Sequence, residues 1–233
     1  MIAETSAPVT KPSCTAIESH ADSPVDSDHA ARSCGNTAAA ENHVVIARTI
    51  ARASSRRELR ADGKRSTVMD LLELRRSKDD HFGKAHDSPL NVTQRHHFDG
   101  LRYFDADPAF RFEVALDGPA GTVEEVEMSD GTTDHLQRAG IVKFSVDGTD
   151  ATLLAFHQGD ELFIPFRDAT SGKETYGAGR YVEAEALSEG RYLLDFNRAY
   201  NPYCAYNDDW RCPLPPAENW LKVAIRAGEK SFR

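Results

Sequence analysis

Two arginines, Arg167 and Arg180, stand at the two ends of a long polar connection between predicted strands. A guanidinium presents paired N–H donors in one plane, which suits a carboxylate or a phosphate group. The connection carries more polar side chains than a hairpin requires, and such loops often hold binding residues. One interpretation is an anion site. The other is that both arginines pair internally with Asp168 and Asp195 and only hold the loops in place.

A second connection, residues 195–220, is rich in Asn, Asp and Tyr and poor in regular structure. A segment of this length must satisfy its backbone through side chains or stay mobile. We expect the two connections to converge at one end of a β-structured domain and to line a pocket for a small polar or anionic molecule. The predicted ligand-binding residues are Arg167, Asp168, Lys173, Tyr176, Arg180, Asn197, Tyr200, Asn201 and Tyr203.

An enzyme is the first alternative, and Cys204, Asp168 and Asp195 are its weak catalytic candidates. A thiolate at Cys204 would be a nucleophile if a base lay within hydrogen-bond reach, but the spacing selects no histidine for that role. A carboxylate would act as general acid or base, with an arginine stabilising negative charge. The second alternative is a hydrogen-bonded plug that closes the barrel end without a ligand site. The sequence leaves the choice among the three open.

The remaining motifs predict no metal site and no cofactor. Cys204 and Cys212 could form a disulfide or half of a zinc site, yet no second Cys or His pair stands at metal-like spacing. The residues 177–179, Gly-Ala-Gly, lack the spacing, the lysine and the following helix of a phosphate-binding loop. A buried, unreactive thiol is the other interpretation of Cys204.

The elements that must position these residues are mostly strands. In residues 110–116, apolar side chains alternate with charged or small ones, which is typical of a half-buried antiparallel strand. Regular strand spacing with glycine-bearing turns favours a small antiparallel meander, closed as a barrel or folded as a sandwich. The eight predicted strands are 110–116, 123–128, 136–146, 152–156, 162–166, 179–187, 191–196 and 221–225. A helix that begins near Met69, capped by Ser66 or Thr67, is predicted to pack on this body, and a short helix is predicted at 92–97.

The aromatic residues divide the chain into two parts. All 20 of them lie from Phe82 onward, and residues 1–42 lack any apolar periodicity. Such a composition buries too little surface to offset chain entropy. We therefore predict a disordered leader over residues 1–66, which need not be part of the working protein, and one mostly-β domain over 67–233. A true start at Met69 is our hypothesis.

Charge and hydropathy exclude several classes of partner. The net charge of −9 and the pI near 5.5 argue against nucleic acid and against an anionic membrane surface. The N-terminus has no apolar signal region, and no run approaches the roughly 18 apolar residues that span a bilayer. Four cysteines do not make the dense framework of a small secreted domain. The predicted location is the cytoplasm, and the sequence does not indicate an oligomeric state.

Several segments together resemble a known family. They are 88–90, 100–104, 167–181, 195–206 and 212–221. In these segments the chain resembles an uncharacterised prokaryotic family, domain of unknown function 1684, and the resemblance covers nearly all of residues 69–233. It implies that the polar connections are shared by the family, and it implies no particular activity.

Overall fold

A computed structural model describes residues 67–159 and 161–232 of the 233-residue chain. The predicted disordered leader, residues 1–66, lies outside the described residues, so the domain boundary and the start at Met69 stay predictions. No helix in the described part of the chain is both long and apolar enough to cross a membrane.

The described residues form seven antiparallel strands in the order β1-β7-β6-β5-β4-β3-β2. A further pairing of β1 with β3 closes six of them into a barrel, and β2 is an additional strand on β3. The predicted mostly-β fold is confirmed, and it is a barrel. The strand bounds are β1 Arg111–Asp117, β2 Val123–Glu127, β3 Thr133–Val146, β4 Thr149–Gln158, β5 Glu161–Phe166, β6 Arg180–Ala186 and β7 Arg191–Asp195.

A bulge in β3 allows this one strand to serve two partners. The pairing of β3 with β4 shifts register between Arg138 and Gly140. Gly140 has a φ of +148°, and a Cβ at that position would lie 3.0 Å from the backbone oxygen of Asp117. A glycine at a bulge permits both the sharp bend and this close approach of β1. The first part of β3 therefore pairs with β2, and the rest closes the barrel.

The barrel interior is filled by apolar side chains. Phe196 lies at its centre, with ring centroids 5.4 Å from Phe144, 5.2 Å from Phe166 and 6.1 Å from Phe112. These separations and the tilted or edge-to-face orientations are favourable for aromatic pairs. Because even eight strands leave an interior only wide enough for side chains, a six-stranded barrel is expected to be solid. A second apolar cluster lies on the outer face of the barrel.

Helix α1, Thr67–Lys84, confirms the predicted N-terminal helix and packs on this outer cluster. Phe82 is fully buried, and its ring lies 4.8 Å from that of Tyr206 and 6.0 Å from that of Tyr203. Helix α1 thus packs against the second polar connection, which lies between the helix and the barrel. Helix α2, Val92–His96, is short and begins with a capping box formed by Asn91 and Gln94. Single 3₁₀ turns lie at Pro108–Phe110, Ser188–Gly190, Phe196–Arg198, Tyr203–Ala205 and Ala217–Asn219.

The prediction of an eighth strand at residues 221–225 is wrong. This segment belongs to no sheet and crosses the barrel end at which β5 finishes and β6 begins. Its partners are loop atoms: the Leu221 N–H donates to the Arg167 carbonyl at 2.8 Å, and the Ala169 N–H donates to the Val223 carbonyl at 3.0 Å. The apolar side chains of Leu221, Val223 and Ile225 pack against the barrel interior although the segment is not a strand.

Candidate functional site

Arg180, the first residue of β6, is buried and fixes the C-terminal segment to the barrel. Its Nη1 donates to the carbonyls of Ala227 at 2.6 Å and Glu229 at 3.0 Å. Its Nη2 donates to the carbonyl of Ile225 at 2.8 Å and lies 3.5 Å from Asp168 Oδ1. The side chain is 1% exposed. Both terminal nitrogens of this guanidinium are therefore already used inside the protein.

Asp168 completes this arginine network from the first polar connection. Its carboxylate accepts from the Thr170 hydroxyl at 2.9 Å and from the Ile225 N–H at 2.6 Å. Burial lowers the pKa of Arg180, whereas the charges of Asp168 and Glu229 act in the opposite direction. An arginine keeps its proton in proteins, so the interior holds a charged pair in which both terminal nitrogens of Arg180 and the Asp168 carboxylate are hydrogen-bonded.

Glu229 is the centre of a second buried network. Its carboxylate is fully buried and accepts from Lys78 Nζ at 2.7 Å, from the Tyr206 hydroxyl, and from both the backbone N–H and Nδ2 of Asn201 at 3.2 Å. Burial raises the pKa of Tyr206. Because Arg180 binds the carbonyl of Glu229 and Asn201 binds its carboxylate, the two polar connections meet at this residue.

Three further residues of the predicted ligand set make structural contacts. Asn197 is buried, accepts from the Asp107 N–H at 2.8 Å and donates to the Asp107 carbonyl at 2.8 Å. Tyr203 is buried between Phe82 and Trp210. Tyr200 is half-buried and donates its hydroxyl to the carboxylate of Glu183. In these positions the side chains order the second connection.

Glu183 has a perturbed pKa, from which a pH dependence follows. Burial raises the pKa of this carboxyl from 4.5 to about 7, although the Tyr200 hydroxyl lowers it in part. The native state therefore binds this proton more tightly than the unfolded chain does, and the stability contributed by Glu183 falls as the pH rises from about 4.5 to about 7. We expect Glu183→Gln, whose amide oxygen still accepts from Tyr200, to remove this dependence.

The measurement is the free energy of unfolding in urea for the wild type and Glu183→Gln at about pH 5 and about pH 8. Between these values the wild type is expected to lose stability relative to the variant. Two parallel pH profiles would contradict the elevated pKa of Glu183.

Arg167 differs from Arg180 in its surroundings. Its Cζ lies 4.5 Å from the centroid of the Trp220 ring, and within residues 67–159 and 161–232 its guanidinium makes no hydrogen bond or ion pair. The indole is 53% exposed and donates its N–H to the Pro215 carbonyl at 3.1 Å. We call Arg167 and Trp220 the rim pair. Lys173 of the predicted set is exposed, and Tyr176 is half-buried.

The backbone of the rim pair is anchored by Asn219, which the sequence analysis did not select. Asn219 is fully buried, accepts from the Leu154 N–H at 2.6 Å and donates to the carbonyls of Leu154 at 2.9 Å and Pro165 at 2.7 Å. Its own carbonyl accepts from the Arg167 N–H at 2.9 Å. The side chain of Asn219 thus links the rim pair to strands β4 and β5.

Cys204 and Cys212 are both free and buried. The Cys204 N–H donates to Cys212 Sγ at 3.4 Å, and the Tyr176 hydroxyl lies 3.9 Å from Cys204 Sγ. The neighbouring Cys212 side chain and the Tyr176 hydroxyl lower the pKa of Cys204 to about 7, against the effect of burial. The Cys212 pKa is raised by the Cys204 side chain and by burial. A nucleophilic role for Cys204 stays a prediction.

The remaining carboxylate candidate for catalysis is Asp195. Asp195 forms an ion pair with Arg111 Nε at 3.0 Å and caps the turn at Asn197, so like Asp168 it is engaged in structural contacts. No group of three or more His, Cys, Asp or Glu side chains in the described part of the chain is arranged to hold a metal ion.

The geometry defines a small closed β-barrel whose end is covered by two polar connections and a C-terminal segment. The chain belongs to the family described as protein of unknown function (DUF1684), whose sequence profile matches residues 96–230. The predicted resemblance is confirmed, and the matched range contains both connections and Glu229. The chain is also similar to an uncharacterized protein of Haloarcula marismortui, solved by solution NMR, at 41% identity over 70% of this chain and 94% of that chain, with a TM-score of 0.55. No curated protein matches the chain.

Proposed function

We propose that the protein binds a small anionic molecule, one that carries a carboxylate or a phosphate group, at the rim pair of Arg167 and Trp220. The observation that carries the proposal is the Arg167 guanidinium, which stacks on a half-exposed indole while its N–H donors have no acceptor in the described residues. A stacked guanidinium keeps its edge free for a bidentate contact with an oxyanion.

A rigid base supports the rim pair. The residue after Trp220, Leu221, donates its N–H to the Arg167 carbonyl. The residue before Trp220, Asn219, donates its side-chain amide to the carbonyls of Leu154 and Pro165. A donor whose backbone is held in this way loses little entropy when it meets a ligand. Lys222, exposed and two residues beyond Trp220, adds positive charge to a protein that is acidic overall.

The proposal divides the predicted ligand-binding residues into two groups. Arg167 is assigned to ligand contact, and Lys173 and Tyr176 are the accessible members that would extend the surface. The other members act as supports because their side chains make contacts inside the protein: they are Asp168, Arg180, Asn197, Tyr200, Asn201 and Tyr203. We further propose a cytoplasmic location, because two neighbouring cysteines that stay free are typical of a reducing compartment.

The binding proposal is tested by titrating the full chain with inorganic phosphate and with acetate, succinate and citrate, while tryptophan fluorescence is recorded. The chain has two tryptophans, so Trp220 contributes a large part of the signal. For a ligand that binds, Arg167→Ala is expected to weaken the affinity about tenfold or more, since a charge-assisted hydrogen bond contributes about 1.5–3 kcal/mol. Arg167→Lys keeps the charge but loses the planar donors, and should be intermediate.

The matched control is Arg226→Ala, which removes an exposed arginine that pairs with Glu174 at 3.0 Å. This variant should bind like the wild type. An affinity that is unchanged in Arg167→Ala, or a wild type that shows no saturable response to any of the four anions, would contradict the proposed site.

A further inference from the structure

We propose that Cys204 and Cys212 form a redox-active dithiol, in which Cys204 reduces a hydroperoxide and Cys212 then closes a disulfide with it. This inference is independent of the proposed ligand site. It rests on the position of the two sulfurs and on the groups around Cys204.

The two cysteines are neighbours in the fold. Cys212 Sγ accepts from the backbone N–H of Cys204 at 3.4 Å. Cys212 is held by Ser129, whose hydroxyl accepts from the Cys212 N–H at 3.0 Å and whose N–H donates to the Cys212 carbonyl at 2.8 Å. Rotation about χ1 moves each Sγ around its own Cα–Cβ bond, so two neighbouring cysteines can bring their sulfurs together for an S–S bond while the backbone stays in place.

The surroundings distinguish the roles of the two sulfurs. The neighbouring Cys212 side chain favours the ionised form of Cys204, and the Tyr176 hydroxyl donates to Cys204 Sγ at 3.9 Å, so the pKa of Cys204 is lowered to about 7. A thiol with a pKa near neutrality is the better attacking group, because a useful fraction is ionised while nucleophilicity is retained. The Cys212 pKa is raised, so this sulfur keeps its proton until the second step.

The reaction balances with hydrogen peroxide as the oxidant. The Cys204 thiolate attacks one peroxide oxygen, so an S–O bond forms, the O–O bond breaks, and the departing hydroxide takes up the Cys204 proton as water. Cys212 then attacks the sulfenic sulfur; the S–S bond forms, the S–O bond breaks, and the hydroxyl leaves as water with the Cys212 proton. Two thiols lose two electrons in total, and one peroxide becomes two waters.

Burial makes the site selective for small oxidants. Cys204 is 8% exposed and Cys212 is fully buried. Hydrogen peroxide is not much larger than water, whereas an alkylating reagent such as a maleimide needs a much wider opening. Cys204 should therefore react with peroxide faster than with a maleimide of equal concentration, which is the reverse of the order for an exposed cysteine.

The test is peptide mapping of the full chain after treatment with hydrogen peroxide and alkylation of the remaining thiols. Trypsin cleaves after Arg198, Arg211 and Lys222, so a Cys204–Cys212 disulfide joins the peptides 199–211 and 212–222. The joined pair should form and be reversed by dithiothreitol. Cys14 and Cys34 provide an internal reference in the same chain. Peroxide that oxidises these two cysteines while 204 and 212 stay reduced would overturn the proposal.

Two variants assign the steps. In Cys212→Ser, sulfenic acid should accumulate at Cys204 and be trapped by dimedone when the chain is unfolded in denaturant after removal of the peroxide; absence of the adduct would refute the attacking role of Cys204. Tyr176→Phe removes one donor to the thiolate without changing either cysteine, and its disulfide should form several-fold more slowly near neutral pH. An unchanged rate in this variant would contradict the activation of Cys204 by Tyr176.

Discussion

Arg180→Met is expected to lower the free energy of unfolding by about 3–5 kcal/mol, the range found when one partner of a buried ion pair is removed. Methionine fills part of the volume but leaves the Asp168 carboxylate buried without its cation. The carbonyls of Ile225, Ala227 and Glu229 also lose the donors of Arg180. Each unsatisfied buried acceptor costs about 1–3 kcal/mol before the structure relaxes.

Arg191→Met is the matched control for Arg180→Met. Arg191 lies on the neighbouring strand β7, and its side chain, 47% exposed, pairs with an exposed Glu113. An exposed ion pair contributes about 0–1 kcal/mol, so this variant should unfold close to the wild type in urea. Similar losses in the two variants would contradict the structural role of Arg180.

Gly228→Ala is the second substitution with a large expected effect. Gly228 has a φ of +75°, and an added Cβ would lie 2.5 Å from the Ala199 oxygen and 2.7 Å from the Phe196 oxygen. Both atoms belong to the backbone of the second connection, which is packed into the barrel and cannot move easily. We expect a loss of about 1–2 kcal/mol from the left-handed conformation and a further loss of about 1–3 kcal/mol from overpacking.

Gly148→Ala separates these two causes. Gly148, in the turn between β3 and β4, has the same φ of +75°, but an added Cβ there meets nothing within 4 Å. Only the conformational cost of about 1–2 kcal/mol should appear in this variant. Equal midpoints of urea unfolding for the two alanine variants would show that the C-terminal segment does not pack closely against the second connection.

The fold followed from the sequence where local pattern and burial agree. Residues 110–116 alternate in polarity because one face of β1 lies inside the barrel, and the predicted N-terminal helix is present over Thr67–Lys84. The same reasoning failed for residues 221–225. Their alternation reports burial against the barrel end, and a pattern of burial does not reveal whether the backbone partner is a strand or a loop.

The meeting of the two connections was predicted, but the residue at which they meet was not. Arg180 and Asn201 were expected to converge, and they do so at Glu229, which was not selected. A single acidic residue near a C-terminus is usually exposed, and its cation, Lys78, precedes it by 151 positions. The sequence does not distinguish Arg167 from Arg180. The path of the C-terminal segment decides which of the two arginines is buried, and that path is not evident from the sequence.

Closure of the barrel end by residues 221–229 is measured most directly by native-state hydrogen exchange. The Leu221 N–H binds a loop carbonyl, the Ile225 N–H binds the buried Asp168 carboxylate, and the Glu229 N–H binds the Ala199 carbonyl at 2.9 Å. If the segment is part of the barrel structure, these amides should exchange only through global unfolding, with free energies equal to those of central amides in β4 and β5. Exchange of these three amides by a low-energy local opening, while β4 and β5 stay protected, would contradict closure of the barrel end by this segment.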